Sequence, residues 1–90
     1  MTKIEIYTKP GCGGCEKIKQ EIKGQELEKI VEYKTIKGKE GKDNLHYLKS
    51  LGFTNIPVVR IYNEINQDFL VGYHTIKQIQ ESLDNINEVL

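Results

Sequence analysis

The segment Tyr7-Thr8-Lys9-Pro10-Gly11-Cys12-Gly13-Gly14-Cys15 carries both cysteines of the chain and joins a predicted strand to a predicted helix. The strand covers residues 3–8, where apolar and polar side chains alternate with the period of a strand. Pro10 ends it, because proline cannot donate a hydrogen bond to a strand ladder. Apolar residues then recur at helical spacing among polar helix formers, which predicts a helix from about Gly13 onward. These apolar residues are Cys15, Ile18, Ile22 and, if the helix passes through Gly24, Leu27.

Three further stretches have the character of strands. Residues 31–36 alternate again, and their two outward charges are typical of the edge of a sheet. Pro57 opens a strand over residues 58–62, since proline at the first position costs no hydrogen bond of the ladder. Residues 63–67 favour a turn and residues 68–71 a returning strand, so the last two strands form a hairpin.

Two more helices complete the chain. Residues 37–42 are charged and glycine-rich, which predicts a mobile loop before a short helix. Asp43 or Asn44 is the expected cap of that helix, and Gly52 its end. The last helix starts with a capping box formed by Thr75 and a glutamine three positions further on. The apolar stripes are Leu45, Leu48 and Leu51 in the first of these helices and Ile76, Ile79, Leu83, Ile86 and Leu90 in the second.

The order β-α-β-α-β-β-α predicts an α/β fold with one mixed sheet. Its first two strands pair in parallel through a right-handed crossover, and its last two strands pair antiparallel. Helices must cover both faces of such a sheet. Glu5 lies on a strand that this topology places centrally, so we expect thin cover over that part of its face.

Composition and charge exclude several classes of function. The chain is 38% hydrophobic and 29% charged, which suits one globular domain over residues 1–90. Its 13 basic residues balance its 13 acidic ones, so no excess positive charge is present for nucleic acid or anionic lipid. Glu5 stands where a signal peptide needs apolar residues, and no segment approaches a membrane span. We therefore expect a cytoplasmic protein without nucleic-acid or membrane partners.

Cys12 and Cys15 are the candidates for chemistry, because cysteines three positions apart in the first turn of a helix can form a reversible disulfide. Unpaired N–H groups and the helix dipole favour the thiolate of Cys12, and Lys9 adds a nearby positive charge. Such settings lower the pKa of a cysteine to about 3.5–7.5. Cys12 is therefore the predicted nucleophile, and the deeper Cys15 the resolving cysteine. Gly13 and Gly14 leave their N–H groups and the approach of a substrate open.

A cysteine pair can also be half of a zinc site or two inert thiols. A zinc site needs about four ligands, and the remaining nitrogen donors, His46 and His74, do not stand at a zinc-finger spacing. Redox chemistry is the favoured interpretation, and we assign no metal site. His46 is expected to be solvated, whereas His74 either belongs to a plain loop or lines the site.

The cysteine segment and a second motif resemble one known family. Residues 7–15 look like the active-site segment of glutaredoxins, and Asn55-Ile56-Pro57-Val58-Val59 resembles their threonine-valine-proline segment. The resemblance covers nearly the whole chain, element by element. It implies a thioredoxin fold, in which three helices flank a four-stranded mixed sheet of order 2-1-3-4. It also implies a cis peptide bond between Ile56 and Pro57.

The resemblance further implies how glutathione or a substrate peptide is bound. Lys9 corresponds to a basic residue that contacts a glutathione carboxylate, and the backbone of Ile56 pairs with the bound peptide. Gly14 departs from the family, since many members have tyrosine there. Thr75 stands near the place of an aspartate that holds the ammonium group of glutathione, and it cannot supply the charge. The predicted contacts are Lys9, Gly13, Gly14, Ile56, Pro57, Gly72, Tyr73, His74 and Thr75.

The expected function is that of a monomeric dithiol thiol-disulfide oxidoreductase that reduces protein disulfides, glutathione mixed disulfides or both. Its electron donor is either glutathione, as a co-substrate, or a flavin reductase. Lys9-Pro10, Pro57-Val58-Val59 and Gly72-Tyr73 also resemble the glutaredoxin-like redoxins that serve ribonucleotide reductase and are recharged by thioredoxin reductase. A third alternative is a binding role. Glutaredoxins without proline after the first cysteine, where this chain has Gly13, can bridge a [2Fe-2S] cluster between two protomers with that cysteine and glutathione.

Overall fold

The computed structural model describes residues 1–88. These residues fold into four β-strands, three α-helices and one 3₁₀ helix. In chain order they are β1 (Lys3–Thr8), α1 (Gly13–Ile22), the 3₁₀ helix (Glu26–Ile30), β2 (Val31–Thr35), α2 (Gly38–Ser50), β3 (Val58–Tyr62), β4 (Gln67–Val71) and α3 (Ile76–Glu88). Each strand lies within one residue of its predicted bounds. Leu90, the last position of the apolar stripe predicted for α3, lies outside the described residues.

The strands form one mixed sheet in the order β2-β1-β3-β4. β1 pairs in parallel with β2, where Thr8 lies opposite Thr35, and antiparallel with β3, where Glu5 lies opposite Arg60. β3 and β4 form the predicted hairpin. The thioredoxin fold is thereby confirmed, with β2 at an edge. Since β1 and β2 run in the same direction, the segments that follow them leave from the same end of the sheet, at the carboxyl ends of these strands. The cysteine segment is one of these segments.

Helices cover the two faces of the sheet unequally. α1 and α3 pack over one face and bury a large apolar core, whereas α2 covers part of the other face. The large core comprises Ile4, Ile6, Ile18, Ile22, Leu27, Val59, Ile61, Ile79, Leu83 and Ile86. The small core comprises Tyr7, Leu48 and Val58. Removing these apolar side chains from water is the main force that holds the sheet between its helices.

The prediction of a mobile loop at residues 37–42 is wrong, because α2 begins at Gly38 and continues for 13 residues. The predicted caps at Asp43 and Asn44 are wrong for the same reason, since both residues lie inside the helix. The N-cap is Lys37, whose side chain makes no capping hydrogen bond. Asn44 instead donates from Nδ2 to the carbonyl oxygen of Thr35 over 2.9 Å. The amide thus ties α2 to the end of β2.

Gly41 explains why this polar, glycine-rich segment is helical. It is buried, and a Cβ at this position would lie 2.6 Å from Cα of Ile36. Helix α2 therefore approaches the end of β2 more closely than a residue with a side chain permits. Of the predicted apolar stripe, Leu48 is buried, whereas Leu51, just beyond the helix, is 41% exposed. Tertiary packing around Gly41 thus outweighs the low helix propensity of glycine.

The other two helices agree better with their sequence patterns. α1 ends at Ile22, so Leu27 belongs to the 3₁₀ helix instead. Gly24 follows α1 with a φ of +81°, a conformation that favours glycine. The capping box of α3 is present: the Gln78 N–H donates to Thr75 Oγ1 over 3.2 Å, and the Thr75 N–H donates to Gln78 Oε1 over 2.9 Å.

Glu5 lies on the sheet face that α2 covers only in part, yet it is buried, because neighbouring side chains cover it where the topology predicted thin cover. Its carboxylate contacts Nη1 of Arg60 at 2.9 Å and Nζ of Lys34 at 3.4 Å, and it accepts a hydrogen bond from the Tyr7 hydroxyl over 3.0 Å. Burial raises the pKa of Glu5, but the hydrogen bonds from Arg60 and Tyr7 and the charge of Lys34 outweigh it and hold the pKa below its ordinary value. The central strand therefore carries a compensated charge.

We expect Glu5→Gln to lower the free energy of unfolding at pH 7 by about 2 kcal/mol, because Arg60 and Lys34 lose the charge that they neutralise. A carboxylate with a lowered pKa in the folded state stabilises the protein above its unfolded pKa, and this contribution is lost as the pH falls. The unfolding free energy of the parent protein should therefore decline below about pH 4.5, and that of Glu5→Gln should decline less steeply.

Urea unfolding at pH 7 and at pH 3.5 measures both effects. Glu32→Gln is the matched control, because Glu32 lies opposite Glu5 in the register of β2 but is exposed. That change should alter the free energy of unfolding by less than about 0.5 kcal/mol. Equal pH dependence in the parent protein and in Glu5→Gln would contradict the role given to this carboxylate.

Candidate active site

Cys12 and Cys15 are joined by a disulfide across the first turn of α1, with their Cα atoms 5.2 Å apart. Cys12 is the N-cap of the helix, and its extended backbone follows a turn at Gly11, where φ is +77°. Cys15 is fully buried, whereas Cys12 is partly exposed. An incoming molecule therefore meets the sulfur of Cys12 first.

The first turn of α1 directs the N–H group of Cys15 at the sulfur of Cys12. The Cys15 N–H donates to Cys12 Sγ over 3.1 Å, and the ladder of the helix begins with the bond from Glu16 N–H to the Cys12 carbonyl. The N–H groups at the start of a helix have no partner within the helix, and the helix dipole is positive at that end. Both effects stabilise a negative charge on sulfur, so the surroundings of reduced Cys12 favour its thiolate form over the thiol.

Ile56 and Pro57, before β3, and Gly72 and Tyr73, after β4, form a wall beside the cysteines. This wall therefore comes from two distant parts of the chain. The bond between Ile56 and Pro57 is cis, as the sequence resemblance implied. The Gly72 N–H donates to the Pro57 carbonyl over 2.7 Å, which joins the two parts. The register of the hairpin brings them together, since Val58 of β3 lies opposite Val71 of β4.

Gly14 is the point at which α1 meets this wall. A Cβ on Gly14 would lie 3.2 Å from Pro57 Cδ and 3.7 Å from Tyr73 Cβ. A Cβ on Gly13 would have no neighbouring atom within 4 Å. The structure therefore brings Gly14, Pro57 and Tyr73 together and leaves the space at Gly13 open.

Comparison with known proteins adds a family to this geometry. The family model described as glutaredoxin matches residues 4–65, a range that includes both cysteines and the Ile56–Pro57 bond. The chain belongs to the glutaredoxin family. The match does not extend to residues 72–75, which complete the wall in this member of the family. No curated protein sequence matches the chain.

Two solved structures share the fold of this glutaredoxin-family chain. Chloroplastic thioredoxin z superposes with a TM-score of 0.73 and 20% sequence identity, covering 99% of this chain and 80% of that chain. A thioredoxin of Malassezia sympodialis superposes with a TM-score of 0.61 and 16% identity, covering 94% and 74% of the two chains. At these identities the likeness establishes the thioredoxin fold alone.

Tyr73 has partners on α1 that sequence reasoning missed. Its hydroxyl donates a hydrogen bond to Oε2 of Glu21, and Nζ of Lys17 lies 4.4 Å from the centre of its ring. The hydrogen bond to Glu21, with some burial, raises the pKa of Tyr73 above its usual value. Lys17 and Glu21 stand four positions apart on the polar side of α1, a spacing typical of an ordinary solvated face. No signal in the sequence links them to Tyr73.

The other predicted contact residues include Lys9, His74 and Thr75. Lys9 is exposed in the segment between β1 and α1. His74 is partly buried, and its Nδ1 lies 3.0 Å from the Gly72 carbonyl oxygen. Thr75 uses its hydroxyl and its N–H in the capping box of α3. Their roles toward glutathione or a peptide stay predictions.

Residues 1–88 contain neither a cluster of metal ligands nor a helix suited to a membrane. In this range no three histidine, cysteine, aspartate or glutamate side chains lie close enough together to hold a metal ion. His46 is exposed on α2. None of the helices in the same range has both the length and the apolar character needed to cross a membrane.

Proposed function

We propose that this member of the glutaredoxin family is a dithiol oxidoreductase that reduces protein disulfides. The observation that carries the proposal is the arrangement of the two cysteines: a partly exposed sulfur at a helix N-terminus, joined by a disulfide to a buried sulfur one turn away. Such a pair has an accessible nucleophile and an internal second thiol. The family assignment supports the same chemistry.

The first step is attack by the Cys12 thiolate on one sulfur of a substrate disulfide. A mixed disulfide forms between Cys12 and that sulfur, and the sulfur–sulfur bond of the substrate breaks. The second substrate sulfur leaves as a thiolate and takes a proton from water. The Cys15 N–H, which is directed at Cys12 Sγ, and the positive end of the helix dipole stabilise the attacking thiolate.

The second step releases the substrate. Cys15 loses its proton to solvent, and its sulfur attacks Cys12 Sγ, which breaks the mixed disulfide. The remaining substrate sulfur leaves and is protonated. The substrate has then gained two electrons and two protons, and the enzyme has the disulfide between Cys12 and Cys15. Two electrons from a thiol donor restore the dithiol.

A protein disulfide is the proposed substrate for two reasons: the site is open beside Cys12, and the backbone of Ile56 is placed to pair with a peptide. The space beside Gly13 is empty, so no enzyme side chain obstructs a bulky substrate there. The backbone of Ile56 can pair with an extended peptide, as the resemblance implied. Thr75 carries no charge for the ammonium group of glutathione, and its hydroxyl and N–H are occupied by Gln78. This favours a flavin reductase as the electron donor.

An assay with insulin as the disulfide substrate tests the proposal. One arm supplies NADPH with thioredoxin reductase, and the other supplies NADPH with glutathione and glutathione reductase. We expect the thioredoxin reductase arm to consume NADPH several times faster. Faster turnover in the glutathione arm would assign glutathione as the donor, and no turnover in either arm would overturn the oxidoreductase itself.

A further inference from the structure

The corner formed by Gly72 and Tyr73 is attached to two elements of the site at once. On one side the Gly72 N–H donates to the Pro57 carbonyl over 2.7 Å. On the other side the Tyr73 side chain reaches α1, where its hydroxyl bonds to Glu21 and its ring lies beneath Lys17. The corner therefore links the helix of the cysteines to the loop of the cis-proline.

We propose that Lys17, Glu21 and Tyr73 are positioning residues that hold this wall at the distance needed by an extended substrate chain. The inference rests on the proposed reduction of protein disulfides. Tyr73 Cβ would lie 3.7 Å from a Cβ on Gly14, so the ring starts beside the contact of α1 with Pro57. Any displacement of Tyr73 is transmitted through the Gly72 bond to Pro57 and its neighbour Ile56.

Two side chains of α1 secure the Tyr73 ring in complementary ways. Glu21 accepts a charge-assisted hydrogen bond from the Tyr73 hydroxyl, which is stronger than a bond between neutral groups. Lys17 lies over the ring face at 4.4 Å from its centre, within the range of a cation–π contact. Because the two residues stand four positions apart, they lie on one side of the helix. Lys17 therefore contacts the face of the Tyr73 ring while Glu21 binds its hydroxyl.

The size of the substrate should decide whether this contact matters. A small disulfide presents little more than its two sulfur atoms, so it needs Cys12 and no wall. A protein disulfide brings a stretch of chain that must lie along the backbone beside Pro57. Loosening the wall should therefore weaken binding of a protein disulfide and leave the attack by Cys12 unchanged.

The test compares insulin with 2-hydroxyethyl disulfide as substrates for the parent protein, Tyr73→Phe, Glu21→Ala and Glu21→Gln. We expect Tyr73→Phe and Glu21→Ala to raise KM for insulin about tenfold or more, the scale of one lost hydrogen bond to a charged group. The kcat for insulin and the turnover of the small disulfide should not change. Glu21→Gln keeps an acceptor for the hydroxyl and should largely restore KM. The Tyr73→Phe, Glu21→Ala double variant should be no worse than either single variant.

Tyr33→Phe is the matched control, because the Tyr33 ring on β2 also lies near a lysine of α1, with Nζ of Lys19 at 5.4 Å. This variant should match the parent protein on both substrates. An unchanged KM for insulin in Tyr73→Phe, or an equal loss on both substrates, would overturn the positioning role. A parent protein that reduces neither substrate would instead overturn the proposed function on which the role rests.

Discussion

Cys12→Ser should abolish turnover of every disulfide substrate, with a loss of at least about a thousandfold, because it removes the covalent nucleophile. Cys15→Ser should also abolish the turnover of protein disulfides, but it should do so at a later step. When Cys12 attacks a protein disulfide, the substrate stays attached until a second sulfur releases it, and Cys15 is one helical turn away. The Cys15→Ser variant should therefore accumulate a covalent complex with insulin, visible by non-reducing electrophoresis.

Glutathione mixed disulfides give a different result with the same two variants. Cys12 takes up glutathione alone from such a substrate, and free glutathione can complete the cycle without Cys15. Cys15→Ser should thus retain much of this activity if the glutathione route is used. The Cys15→Ser protein could instead lose both activities while it keeps its fold and while the alkylation rate of Cys12 still reports a pKa well below 8.5. That result would exclude the glutathione route. It would favour the redoxin recharged by a flavin reductase.

Gly41→Ala should lower the free energy of unfolding by about 3 kcal/mol, the upper part of the range for overpacked interiors. The added methyl group would lie 2.6 Å from Cα of Ile36, which is backbone and cannot rotate away. Helix propensity acts in the opposite direction, since replacing glycine by alanine inside a helix ordinarily stabilises it by up to about 1 kcal/mol. The sign of the change therefore separates the two effects.

Urea unfolding of Gly41→Ala and Gly13→Ala measures this difference. Gly13 is also helical, but a methyl group there would meet no atom within 4 Å. Gly13→Ala should leave the free energy of unfolding within about 1 kcal/mol of the parent value. If the two variants are equally stable, α2 moves away from Ile36 at little cost, and the close approach does not hold the helix in place.

The parts of the fold that depend on local pattern were predictable. Alternation over residues 3–8 and 31–36 identified strands, and the break at Pro10 placed both cysteines at a helix N-terminus. The segment 37–42 was not predictable from local pattern, because charged and glycine-rich residues are typical of loops. Its helix depends on the packing of Gly41 against Ile36, a contact between two elements that no local period records.

The candidate site divides in the same way. The cysteine pair and the cis-proline segment stand in short motifs, so the sequence was sufficient to find them. The contact of Tyr73 with Lys17 and Glu21 joins positions more than 50 residues apart, and neither Lys17 nor Glu21 stands in a motif. The sequence likewise placed Glu5 on a central strand, but it predicted only thin cover there and not the contact with Arg60.

The position of β1 in the sheet also bears on how the chain folds as it leaves the ribosome. β1 emerges first, yet it becomes a central strand, and Arg60, which lies opposite Glu5, is made 55 positions later. Synthesis proceeds at about 5–20 residues per second, so the sheet cannot close for some seconds after the cysteines appear. Throughout that interval Cys12 and Cys15 lack the wall at Pro57 and Gly72. The cysteine pair is therefore synthesised before the segments that complete the site around it.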